Sequence, residues 1–73
     1  MPMYLYVQIV EGKYYSTMTP NGNLHTFGNT VFGVQANGQV RELIPKLRKL
    51  ALVELAKRGI DPAEVINFPS EKC

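Results

Sequence analysis

Chemistry-bearing side chains are scarce in this chain of 73 residues. It holds one cysteine, one histidine and six carboxylates. The lone Cys73 sits at the C-terminus, so no intramolecular disulfide and no Cys-rich metal site can staple the fold, which excludes knottin and zinc-ribbon readings and favours a reducing or redox-indifferent compartment. No window approaches the roughly 18 consecutive apolar residues of a membrane span, and the N-terminus lacks the basic region and small-residue cleavage site of a signal peptide. A single small cytoplasmic domain over 1–73, away from the membrane, is expected. Folded chains of this size bury only about 60% of their unfolded surface, so a partner that covers more of it adds to stability.

Catalysis finds little to work with. His25 would need a Ser, Thr or Cys beside it and an acid to orient it; Thr26 and Thr30 are near in sequence, but threonine is ordinary in a strand. A metal site needs three or four convergent His, Cys or carboxylate ligands, and His25 has no carboxylate close in sequence. Gly28, Gly33 and Gly38 recur at five-residue steps, which is neither the dinucleotide fingerprint nor a phosphate loop. The chain is therefore expected to be no enzyme and to carry no cofactor or metal.

Charge is distributed unevenly. Residues 1–40 hold only Glu11 and Lys13, whereas Arg41, Lys46, Arg48, Lys49, Lys57 and Arg58 stand against Glu42 and Glu54 within 41–58, a local net charge of +4 in a chain of net +2. Such patterning bears on association more than on fold.

The front portion reads as strands over about 3–36. Met3, Leu5, Val7 and Ile9 alternate with Tyr4, Tyr6, Gln8 and Val10, the period of a pleated strand. Glu11-Gly12 is a tight turn into Lys13–Thr19, with Gly12 available for positive φ. Asn21-Gly22 signals a second hairpin into a strand from Leu24 through Phe27, bent at Gly28-Asn29 and continued over Thr30–Val34. Asn37-Gly38 repeats the signal, and Gln39–Leu43 is either a short fourth strand paired with Phe32–Gln35 or the start of a helix. Val40, Leu43, Ile44, Leu47, Leu50, Ala51 and Leu55 share a helical face, but Pro45 costs about 3 kcal/mol inside a helix, so the main helix is placed at about 46–58. Lys57, Arg58 and Gly59 terminate it. Asp61-Pro62-Ala63-Glu64 reads as a capped start of a short clasp over 61–69, where Val65, Ile66 and Phe68 fold onto the core. The fold expected is α+β: an antiparallel meander of three to four strands with one helix packed on one face, then a short C-terminal capped turn or helix.

Three surfaces invite a partner. Tyr4 and Tyr6 share a strand face, towards which the Glu11-Gly12 turn brings one of Tyr14 or Tyr15; such a face can stack bases, or line a half-buried sheet or an interface. Since a base-stacking platform carries Lys or Arg around it and this sheet has only Lys13, the interface reading leads. Leu52 and Val53 fall outside the arc of Leu47, Ala51 and Leu55, so the C-terminal clasp or a second copy of the helix should cover them. Arg41, Lys46, Arg48 and Lys49 supply candidate phosphate contacts, dispersed around the helix.

The run Tyr4–Thr30, with Glu11-Gly12-Lys13-Tyr14-Tyr15, Pro20 and Phe27-Gly28-Asn29-Thr30, resembles the N-terminal part of HicB-type antitoxin domains, where a strand pair around an acidic-Gly-aromatic turn leads to a Gly-acid-Thr segment and a helix. Under half the chain is covered. It departs after Thr30, where that pattern starts a helix and Val31–Gln39 reads as a further hairpin. The resemblance implies a non-catalytic, oligomeric regulator that occludes a partner. The residues themselves point to a protein-interaction module, a regulator or inhibitor that binds a larger protein and forms a homodimer, with nucleic-acid binding through the helix from Arg41 to Arg58 as second choice.

Overall fold

A computed structural model describes residues 2–23 and 27–70. Expectations that fall on 24–26, His25 included, and on Cys73 lie outside the described residues. In chain order the elements are β1 (Pro2–Val10), β2 (Lys13–Thr19), β3 (Thr30–Asn37), α1 (Val40–Arg58), a 3-10 turn (Pro62–Glu64) and β4 (Val65–Ile66). They form one α+β unit: a four-stranded sheet with the helix on one face.

β1 and β2 form a hairpin from Tyr4↔Thr19 to Val10↔Lys13. Its two-residue turn has φ 52° at Glu11 and 78° at Gly12, and positive φ at both positions is what a type I′ turn requires to match the twist of the strands.

Beyond this hairpin the sheet is not a meander. Its order is β3-β1-β2-β4, with β1 central, β3 antiparallel to β1 and β4 parallel to β2. The hairpin expected at Asn21-Gly22 does not form. The Thr19 hydroxyl instead accepts from the Asn21 N–H at 3.1 Å and the Asn21 side chain from the Asn23 N–H at 2.9 Å, local bonds that turn the chain out of the ladder. β2 ends beside Tyr4 and β3 starts beside Gln8, so the connection spans the length of β1 and re-enters where the Asn29 carbonyl accepts from the Ile9 N–H at 2.8 Å. A register shift between Val7 and Gln8 marks a bulge in the β1–β3 pairing.

Strand alternation then sorts the side chains. Leu5 and Val7 of β1, Phe32 of β3 and Val65 of β4 join Leu47, Ala51 and Leu55 of α1 in the core, with Met3, Tyr14, Val34, Ala36, Ile60 and Phe68 packed against it. Burying aliphatic side chains of this size contributes about 1.5–3 kcal/mol each.

Gln39–Leu43 is not a strand, and α1 begins at Val40 rather than near 46, with Pro45 inside it. Tertiary burial outweighs the proline. Leu43 extends the Leu47, Ala51, Leu55 row by one turn and is 1% exposed. Pro45 leaves the carbonyl of Arg41 without its helical donor, and the residues on either side of that carbonyl, Arg41 and Glu42, are exposed. At the far end Gly59 adopts the left-handed conformation, and the Gly59 and Ile60 N–H groups donate to the Ala56 and Leu55 carbonyls. Asp61 caps the 3-10 turn by accepting from the Ala63 N–H at 3.0 Å. The fourth strand lies here, after the cap.

Candidate functional site

The sheet register divides the tyrosines. Tyr4 and Tyr6 face away from α1 with Gln8, and their cross-strand partners Thr19, Thr17 and Tyr15 face the same way, as does Ile66 opposite Tyr15. Tyr14, opposite Ile9 and Val65, points to the helix side and packs against the core. Tyr15 is thus the hairpin tyrosine that joins the Tyr4–Tyr6 face.

Part of that face is closed by the chain itself. The Tyr4 and Tyr6 rings stack with centroids 6.0 Å apart at 14°, Gly22 lies against the Tyr4 ring, and Tyr6 is only 2% exposed. A hollow of about 380 Å³ remains between Tyr4, Tyr6, Gly22, Gly33, Val34 and Gln35. Burial, and to a lesser degree the neighbouring Tyr4, pushes the Tyr6 hydroxyl pKa above its ordinary value. These rings behave as a small second layer of packing.

The accessible part lies towards the hairpin turn. Val10 is 44% and Ile66 39% exposed, with half-buried Tyr15 and Thr17 alongside. Among the described residues, Lys13 is the only charged side chain that strand alternation assigns to this face. Val10 was not singled out from sequence, and Ile66, expected to fold onto the core with Val65 and Phe68, instead alternates to this outer face opposite Tyr15. The alternation of β1 places Val10 beside Gln8, but nothing in the composition of 65–66 announces a strand parallel to β2.

Leu52 and Val53 do not form one surface. Leu52 shares a hollow of about 460 Å³ with Pro45, Lys46, Arg48 and Lys49, whereas Val53 follows Leu50 by three residues on the opposite flank. That flank is the one over β3: Lys46 and Leu50 line a hollow with Ala36 and Asn37, and Lys46 Nζ donates to the Asn37 carbonyl at 3.5 Å.

The cations diverge. Arg48 turns towards the C-terminal segment, donating from Nε to the Pro69 carbonyl at 3.0 Å with its guanidinium 5.9 Å from the Phe68 ring centroid. Arg58 lies 4.9 Å above Phe32 and bonds Glu54 at 2.7 Å. This bond, assisted by Lys57 and opposed by desolvation, holds the Glu54 carboxyl below its ordinary pKa. Arg41 and Lys49 are exposed. Among the described residues no group of three or more His, Cys, Asp or Glu could hold a metal ion, and no helix is long and apolar enough to cross a membrane.

Comparison of the chain with protein-family models, with curated proteins and with solved structures finds no match.

Proposed function

We propose that this chain is a non-catalytic interaction module, a regulator or inhibitor that binds a larger protein and self-associates. The observation that carries the reading is the sheet face at Val10, Tyr15, Thr17 and Ile66, apolar and hydroxyl-bearing, with Lys13 and Glu64 of opposite charge beside Ile66 at its rim. Such a surface suits a partner that offers shape and hydrogen bonds rather than phosphate, because tyrosine combines a rigid apolar area with a polar tip.

The test is capture from the native host on immobilised wild-type chain, beside Ile66→Lys and Tyr15→Asp variants. One protein retained in stoichiometric amount by wild type and lost with both variants supports the reading. Equal retention by all three places the contact elsewhere.

A second reading draws on Lys46, Arg48 and Lys49, which line one hollow on the outer side of α1. Nucleic-acid binding there would weaken with salt, by a log–log slope of about −0.7 to −0.9 per phosphate neutralised. Because Arg48 is already engaged with Pro69 and Phe68, weak binding without base preference is expected at physiological salt. Submicromolar affinity in fluorescence anisotropy, abolished by changing Lys46, Arg48 and Lys49 to Ala, would reverse the ranking of the two readings.

A further inference from the structure

We propose that two copies of this chain associate edge to edge through β3, across a two-fold axis that joins their sheets into one and sets their α1 helices side by side. The inference rests on the self-association half of the preceding reading and names its surface, which differs from the Val10–Ile66 face.

The two edges of the sheet are unlike. β4 is two residues long, preceded by Asp61, Pro62 and Glu64 and followed by Pro69, the short, charged and proline-flanked kind of edge that discourages pairing. β3 is eight residues, Thr-Val-Phe-Gly-Val-Gln-Ala-Asn, without a charge or a proline. Among the described residues no strand lies beyond its outer side. Among the described residues, the backbone groups of Val31 to Ala36 directed away from β1 therefore have no ladder partner. A regular, neutral edge of this length is a template for another strand.

An independent observation points the same way. The helix flank above this edge carries exposed apolar side chains, Leu50 at 43% and Val53 at 51%, one turn apart. The opposite flank, above β2 and β4, is occupied by Arg48 against Pro69 and Phe68. Unpaired backbone and unpaired apolar surface thus occur on the same side of the molecule.

A second copy fits both at once. β3 paired with itself antiparallel about a dyad is self-complementary, so each protomer gives and receives the same hydrogen bonds. With strands about 4.8 Å apart, a helix seated over β3 and β1 stands about 5 Å from the dyad, and the two helices about 10 Å apart, the upper end of the spacing of packed helices. Leu50 and Val53 of one protomer then meet those of its partner. Lys46, whose Nζ donates to the Asn37 carbonyl at 3.5 Å, Lys49 and Lys57 flank them, with stems that can cover apolar surface; Lys57 is partly neutralised by Glu54 at 3.5 Å. The edge is about 26 Å long for eight residues. Taken with the 19 Å shortest dimension of the molecule, it offers about 500 Å² per protomer, or about 1,000 Å² in all, at the threshold of a specific interface. A dimer that dissociates on dilution is the consequence.

Sedimentation across a wide concentration range tests this with wild type, a Leu50→Glu/Val53→Glu variant, a Gln35→Lys variant that puts a charge on the edge strand, and a Tyr15→Asp control on the other face. All four sites lie outside the buried core, and circular dichroism verifies that each variant is folded. Expected is a monomer–dimer equilibrium for wild type and for Tyr15→Asp, with association weakened at least tenfold in the edge and flank variants. In hydrogen exchange, protection that rises with wild-type concentration should be confined to β3 and the Leu50–Val53 flank. A wild type monomeric at every concentration overturns self-association itself. A dimer that survives the edge and flank variants, or is lost only with Tyr15→Asp, overturns the β3 edge while leaving self-association standing. Open-ended growth into larger species also overturns the closed two-fold pairing.

Discussion

The Tyr6 ring lies across Gly33, its partner on the neighbouring strand: a Cβ at position 33 would stand 2.5 Å from Tyr6 Cε1 and 2.6 Å from Cδ1. Gly33 has no positive φ, so the position needs glycine for space and not for backbone conformation. Since Tyr6 is 2% exposed, its ring has little room to withdraw.

Gly33→Ala should therefore destabilise the chain by about 1–3 kcal/mol, the range of overpacking, despite the smaller unfolded-state entropy of alanine. Urea denaturation measures it. A gain in stability would show that the ring moves aside freely.

Glu11 sits at φ 52°, a region that costs most L-residues about 1–2 kcal/mol and that asparagine tolerates. Glu11→Asn creates the Asn-Gly pair favoured in this turn and should stabilise by about 0.5–1 kcal/mol. Gly12→Ala, at φ 78°, should destabilise by a similar amount or more. An unchanged denaturation midpoint in both variants would mean that the turn relaxes out of the type I′ geometry.

Pro45 occupies a helix interior, where it removes one hydrogen bond and crowds the Arg41 carbonyl. Pro45→Ala should raise stability by about 1–3 kcal/mol, with increased helical ellipticity. No gain would indicate that the first turn of α1, from Val40 to Leu43, is held wholly by packing.

These positions show how far the sequence was legible. The β1–β2 hairpin, the Gly59 stop and the Asp61 cap each depend on a local rule with its own residue signature, and each was readable. The place of β3 was not, because Asn21-Gly22 looks locally like a hairpin turn. What sends β3 to the far side of β1 is non-local: the pairing of Leu5 with Val34 and Val7 with Phe32, and the room over Gly33 for Tyr6. Pro45 misled for a related reason, since its penalty is local whereas the burial of Leu43 is tertiary. At the candidate site, Tyr4 and Tyr6 were placed on one face correctly by alternation. Their partial closure by the β2–β3 connection, and the addition of Ile66 by a two-residue parallel strand, have no periodic signal.

Tyr6 also links the fold to pH. Its hydroxyl, pushed above the ordinary value of 10.0 by burial and then by Tyr4, holds its proton in the folded chain at a pH where the unfolded chain has begun to release it. The unfolded state then binds fewer protons than the folded one, so stability falls as pH rises. The contribution is whole below the unfolded pKa and is lost as pH climbs through the folded one. A comparison with Tyr6→Phe, which keeps the ring over Gly33 and removes the ionisable group, isolates the effect. Urea midpoints from about pH 8 to about pH 11 should fall more steeply for wild type than for the variant, the two curves separating above about pH 10. Parallel curves over the whole range would mean that the hydroxyl reaches water freely, and that the closure of the tyrosine face by the chain's own β2–β3 connection is looser than its 2% exposure implies.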